Sequence, residues 1–131
     1  MSTNPIYHDA EIGTIAYSRT RKSVQLDFQQ TSGDDIHLTF SGVRAFRVND
    51  FGLQNVVSRV LVSTSRVFSA DEVRDYLQWA HSQHDYKASL ADAKATEIER
   101  ALSQGALFLF VVEPSVGAEI VILCEGMEIT V

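Results

Sequence analysis

One cysteine in 131 residues excludes an internal disulfide and any metal site built from paired thiols. A lone Cys124 suits a reducing compartment. With two prolines and seven glycines, no stretch resembles a linker or a low-complexity tract, so disorder is expected only at the ends. The longest unbroken apolar run, Ala106 to Val112, falls far short of the roughly 20 residues a bilayer span requires. Met1-Ser2-Thr3-Asn4-Pro5 has no basic segment leading into an apolar run, so no secretory signal is expected. Neither a membrane nor a secreted setting fits; a soluble, cytoplasmic protein does. Basic charge is also scarce: 11 Lys and Arg stand against 17 Asp and Glu, a net charge of −6. Nucleic-acid binding needs clustered cations to displace counterions, so nucleic acid is not the expected partner. No Gly-rich phosphate loop and no nucleophile elbow occur, which argues against an enzyme and against a cofactor.

What the chain does have is core-forming material and an uneven charge layout. Hydrophobic residues make up 45 % and charged residues 21 %, enough for one domain with a sizeable core. Residues 1–68 carry six acids and seven bases, and residues 69–131 carry eleven acids and four bases. The halves are thus +1 and −7. An acidic half on a domain without catalytic motifs points to a binding protein that masks a basic partner.

The hydrophobic period assigns the elements. Glu11 to Ser18 reads as a strand whose phase shifts at Gly13-Thr14, the mark of a bulge. Val24, Leu26 and Phe28, then Ile36, Leu38 and Phe40, alternate with polar residues on either side of Thr31-Ser32-Gly33-Asp34-Asp35, which predicts a hairpin. Extended patterns follow over 43–48 and 55–62, the latter apolar enough to be covered on both faces. Ser69-Ala70-Asp71-Glu72 is a capping-box pattern and opens a helix over residues 70–85. With Val73 set at 0°, Leu77 falls at about 40°, Ala80 at about −20° and His84 at about 20°, one apolar stripe at ~100° per residue. A second helix, 90–104, carries Ala91, Ala95, Ile98 and Leu102 on one side and stops at Gly105. Strands return over 106–113 and 118–124, with 127–131 continuing past a bulge at Gly126. The expected architecture is α+β: one mainly antiparallel sheet of about six strands, with two helices inserted before the last two strands.

Few residues carry chemistry. His81 and His84, with Asp85, lie at helical spacing, but no third ligand follows, so no metal site is expected. His8, Asp9 and Glu11 are neighbours on extended chain and point to different faces. His37 faces away from the apolar side of its strand. Cys124 alternates with Ile120 and Ile122 and reads as a buried thiol. Asn55 and Arg59 interrupt an apolar strand and read as polar groups that satisfy buried backbone or pair with Asp50. Trp79 falls at about −120° on the first helix, with Glu72 at about −100° and Asp75 at about −160°, well off the apolar stripe. Gln83 follows one turn later. Either Glu72, Asp75, Trp79 and Gln83 form a partner-binding surface with the indole as anchor, or the second helix packs over Trp79.

Three segments, His8-Asp9-Ala10-Glu11-Ile12, Phe40-Ser41-Gly42-Val43 and Asp50-Phe51-Gly52-Leu53-Gln54-Asn55-Val56-Val57, resemble small bacterial immunity proteins of contact-dependent growth inhibition and related polymorphic toxin systems. The likeness covers mostly residues 8–62, with a similar two-strand ending at 106–131; the helical stretch 69–104 has no counterpart in it. The resemblance implies a cytoplasmic inhibitor that binds and neutralises one cognate toxin domain, often a nuclease. The rival reading from composition is a small apolar-ligand-binding domain, its sheet closing partly around a cavity of roughly 300 Å³ or more. A hydrolase using His8, Asp9 or His37 ranks last.

Overall fold

Alternation determines which face of each strand is buried. In β2 (Ser23–Gln29) and β3 (Asp35–Ser41) every second residue, from Val24 to Phe40, is buried, and those between face solvent. The computed structural model describes residues 6–130 and contains one antiparallel sheet of eight strands with two helices. The other strands are β1 (Glu11–Ser18), β4 (Ala45–Asn49), β5 (Val56–Val62), β6 (Phe108–Val116), β7 (Glu119–Cys124) and β8 (Gly126–Thr130). The helices, α1 (Ala70–His81) and α2 (Asp92–Ser103), fall between β5 and β6. The strand order is β4-β7-β6-β5-β1-β2-β3-β8. Met1 to Pro5, over which no secretory signal is expected, and Val131 lie outside the described residues.

The count of eight, against about six, has a local cause. β3 and β4 are one run of chain bent at 42–44, and β7 and β8 are another bent at Glu125. The ladder resumes across the bend, with Ser41 opposite Gly126 and Ala45 opposite Leu123. The Glu125 N–H donates to both the Ser41 and Gly42 carbonyls, at 3.0 and 3.2 Å. Gly42 has φ +58°, and a Cβ there would meet the Glu125 side chain at 2.8 Å, so only glycine fits the corner. The helices therefore precede the last three strands rather than the last two. The expected bulge is present, as a register shift between Ile12 and Thr14.

The bends fold the sheet around an interior filled by its own side chains. Phe28, Phe40 and Phe110 are fully buried there with Leu26, Leu38 and Ile122. The rings of Phe40 and Phe110 lie 5.0 Å apart. β6 and β7 are apolar on both faces because both are covered. Phe110, Val112, Ile120, Ile122 and Cys124 point inward; Leu109, Val111, Val121 and Leu123 meet α1 and α2 through Val73, Leu77, Ala95 and Ile98. β5 departs from the expectation of two covered faces. It begins at Val56, its register shifts twice, and Arg59 is exposed and paired with Glu113 rather than Asp50. Asn55 behaves as expected: buried, it accepts from the Gly52 and Ala118 N–H groups and donates to the Gly52 carbonyl.

α1 starts with the expected capping box. The Ser69 hydroxyl accepts from the Glu72 N–H at 3.2 Å, and Glu72 accepts from the Ser69 N–H at 3.0 Å. The helix stops at His81, one turn earlier than its sequence pattern suggests. Ser82 turns extended, its hydroxyl donates to the Gln78 carbonyl and accepts from the Ala88 N–H, and Gln83 pairs with Tyr86 through two backbone bonds. His84 thereby leaves the apolar stripe and becomes exposed. In α2, Ala91 is the exposed N-cap rather than part of the buried side. Among the described residues, no helix is long and apolar enough to cross a membrane.

Candidate functional site

The early end of α1 creates a depression on the surface. Asp75 and Trp79 stand one turn apart on the outer flank of the helix. The loop 82–91 folds back beside them, held by the Ser82 hydroxyl and by the Leu90 N–H donating to Gln78 Oε1 at 3.0 Å. The resulting depression is about 550 Å³, with Asp75, Trp79, Gln83, Asp85, Tyr86 and Lys87 in its walls. The Asp75 side chain is 70 % exposed and Tyr86 is 61 % exposed. An aromatic wall, two carboxylates and an amide can engage a cationic side chain, which gains from both the ring faces and the charge.

Of the four residues expected to form a partner surface, three meet here: Asp75, Trp79 and Gln83. Glu72 does not. It is bound to the Ser69 cap and to the Arg66 guanidinium at 2.5 Å, and the Ser69 backbone bond, working against its burial, holds its carboxyl below the ordinary value. Trp79 is not the clear-standing anchor its helical angle suggests. It is half-buried against the core between the sheet and the helices, and the Arg47 guanidinium of β4 covers it, 4.4 Å from the ring centroid, while donating to the Trp79 carbonyl at 2.9 Å. A helical pattern running through residue 85 gives no sign of Asp85, Tyr86 and Lys87 as wall residues. The run Ser82-Gln83-His84-Asp85, with no helix-forming apolar residue, was the available signal.

The acids around the helices are only partly free. Arg74 lies 3.3 Å from Asp71, 3.7 Å from Asp75 and 3.0 Å from Asp92, tying the first turns of α1 and α2 together. These exposed pairs contribute little stability but hold the carboxylates in place.

The other candidates separate into structural roles. His81 and His84 are exposed, and among the described residues no group of three His, Cys, Asp or Glu could hold a metal. His8 and Asp9 do approach, at 3.5 Å, because Asp9 adopts φ 62°; the other His8 ring nitrogen lies 3.0 Å from the Ser58 carbonyl. His37 bonds its cross-strand neighbour Asp27 at 2.7 Å, a pair that register alone decides. The bond to Asp27 raises the His37 pKa. Burial pushes Asp27 up, but its bonds to His37, Gln25 and Thr14 outweigh this and lower it. Cys124 is buried and its thiol is pushed up to about 11 by burial, the opposite of a reactive thiolate.

No protein-family model matches the chain, and no curated protein matches it either.

Proposed function

We propose that this domain is an immunity protein that binds and neutralises a cognate basic toxin domain, a nuclease being the favoured class, and that it acts in the cytoplasm by masking rather than by catalysis. The observation that carries the reading is the depression beside α1. It joins a braced tryptophan and an exposed tyrosine to carboxylates on the more acidic half of the chain. Tyrosine and tryptophan supply large contact area at small entropic cost. The carboxylates favour encounter with a cationic surface, such as one that holds phosphate. The apolar-ligand alternative gains nothing from an interior occupied by Phe28, Phe40 and Phe110.

The test begins with the neighbouring reading frame. If it encodes a large secreted protein with a variable C-terminal domain, that domain is produced with and without this protein. Restored growth and a stable complex of the two purified proteins are expected. Unrelieved toxicity, with no complex at micromolar concentrations, refutes the proposal.

A further inference from the structure

A second depression, of about 670 Å³, lies on the other side of the 82–84 turn, walled by Arg47, Asn49, His81, Ser82, Gln83 and His84. We propose that it is an oxyanion site, taking a carboxylate or phosphate group, with Arg47 as its fixed charge. The inference is independent of the toxin-binding reading.

Arg47 is one of four arginines without a carboxylate partner among the described residues, and unlike Arg19, Arg21 and Arg100 it is part-buried. Arg44, Arg59, Arg66 and Arg74 each pair with a carboxylate. Among the described residues Arg47 has none. Its bonds are one to the Trp79 carbonyl and a stacking contact with the indole. A guanidinium has five N–H donors, so most of its capacity remains unused. The two contacts hold the group in one position, so little further ordering is lost when an anion binds.

The surroundings favour an anion as well. No wall residue is acidic, and two imidazoles, two amides and a hydroxyl share the lining with Phe46, Val48 and Ala80. Asp50, next to the site, is met by the Asn49 amide at 3.4 Å. The carbonyl end of a helix ordinarily repels anions. Here two of the last four carbonyls are already occupied: Trp79 accepts from Arg47 and from the Ser82 N–H, and Gln78 accepts from the Ser82 hydroxyl. The volume leaves room for an oxyanion carried on a larger molecule or side chain.

Trp79 is the only tryptophan, so its fluorescence reports on the Arg47 contact directly. The protein is titrated separately with sodium phosphate and sodium acetate at ionic strength held constant with sodium chloride. Fluorescence and amide shifts at residues 47–49 and 81–84 are followed. Saturable changes are expected with at least one anion, and the one that saturates identifies the source; both saturating means the site reads charge alone. Arg47→Gln should weaken binding about tenfold or more, as loss of a charge-assisted pair does. Should Arg47→Gln fail to fold, His84→Glu decides: it alters an exposed turn residue, leaves Trp79 untouched, and should abolish saturation. Changes that are linear, that chloride reproduces, or that survive the folded variants overturn the proposal.

Discussion

Replacing Asn55 with alanine removes a side chain that closes three backbone positions at once. Its carboxamide oxygen accepts from the Gly52 N–H at 3.0 Å and the Ala118 N–H at 3.1 Å, and its nitrogen donates to the Gly52 carbonyl at 2.7 Å. The residue is 3 % exposed, so water cannot readily replace these bonds. Each bond contributes about 1 kcal/mol net, and the orphaned groups keep the total near 3 kcal/mol. At this chain length about 4 °C of melting midpoint accompanies each kcal/mol, so a fall of roughly 12 °C is expected. The backbone is tightly packed here: Gly117 has φ +84°, and a Cβ added there would clash with the Gln54 carbonyl and the Asn55 side chain. Asn49→Ala, at an exposed position, serves as the control and should cost no more than about 0.5 kcal/mol. Both are measured by urea unfolding with the slope compared between variants, since a changed slope signals lost two-state behaviour. A loss below about 1 kcal/mol for Asn55→Ala would refute the assignment of these bonds as a structural clasp.

Tyr86→Ala should leave stability within about 0.5 kcal/mol yet cost about 2 kcal/mol, roughly thirtyfold, in affinity for a cognate partner; unchanged affinity by calorimetry moves the surface elsewhere. Asp75→Lys should slow association with a basic partner, and added salt should do the same to the native protein as the Debye length shortens toward ~8 Å at physiological strength; stopped-flow rates indifferent to salt remove the electrostatic part of the reading. In an NMR titration His37 should titrate above the ordinary 6.5 and return toward it in Asp27→Asn. The raised histidine contributes stability below pH 6.5 that fades as pH rises through its folded value, and the lowered Asp27 contributes above 3.8 and fades as pH falls, so the ion pair acts between those limits; a His37 value at or below 6.5 contradicts the pairing. Cys124 should react with thiol reagents only as fast as the protein unfolds, and rapid labelling of the native state would place it at the surface.

Most strands were legible because their alternation is local. The bulge near Gly13, the hairpin from Ser23 to Ser41, the cap at Ser69 and the stop at Gly105 all rest on residues within a few positions of one another. Two features were not legible for opposite reasons. The corner at Gly42 and Glu125 joins segments more than 80 residues apart, and only their pairing shows that one strand becomes two. The end of α1 depends on Ser82 binding Ala88 and on Gln83 binding Tyr86, so the favourable angle of His84 was overridden by a turn that periodicity does not register. The site was affected by the same error. A helix drawn through residue 85 hides Tyr86 and spreads the proposed contact residues along a face, whereas the turn gathers Asp75, Trp79 and Gln83 into one hollow.

The division of labour inside that hollow decides which substitutions can report on binding. Trp79 belongs to both the fold and the proposed site: it packs, partly buried, against the core between the sheet and the helices, and its carbonyl and ring position Arg47. Its truncation should therefore cost stability as well, about half the 3–5 kcal/mol typical of a fully buried tryptophan, and any lost affinity would mix the two effects. Glu72 is similarly committed to the cap and to Arg66, so charge reversal there weakens α1 before it touches a partner. Asp75 and Tyr86 are free of such duties beyond the weak contact with Arg74 and the backbone pairing to Gln83. A surface that binds through Asp75 and Tyr86 while Trp79 and Arg47 brace it from beneath is preorganised: the exposed groups make the contacts, and the half-buried ones limit the ordering that binding would otherwise require.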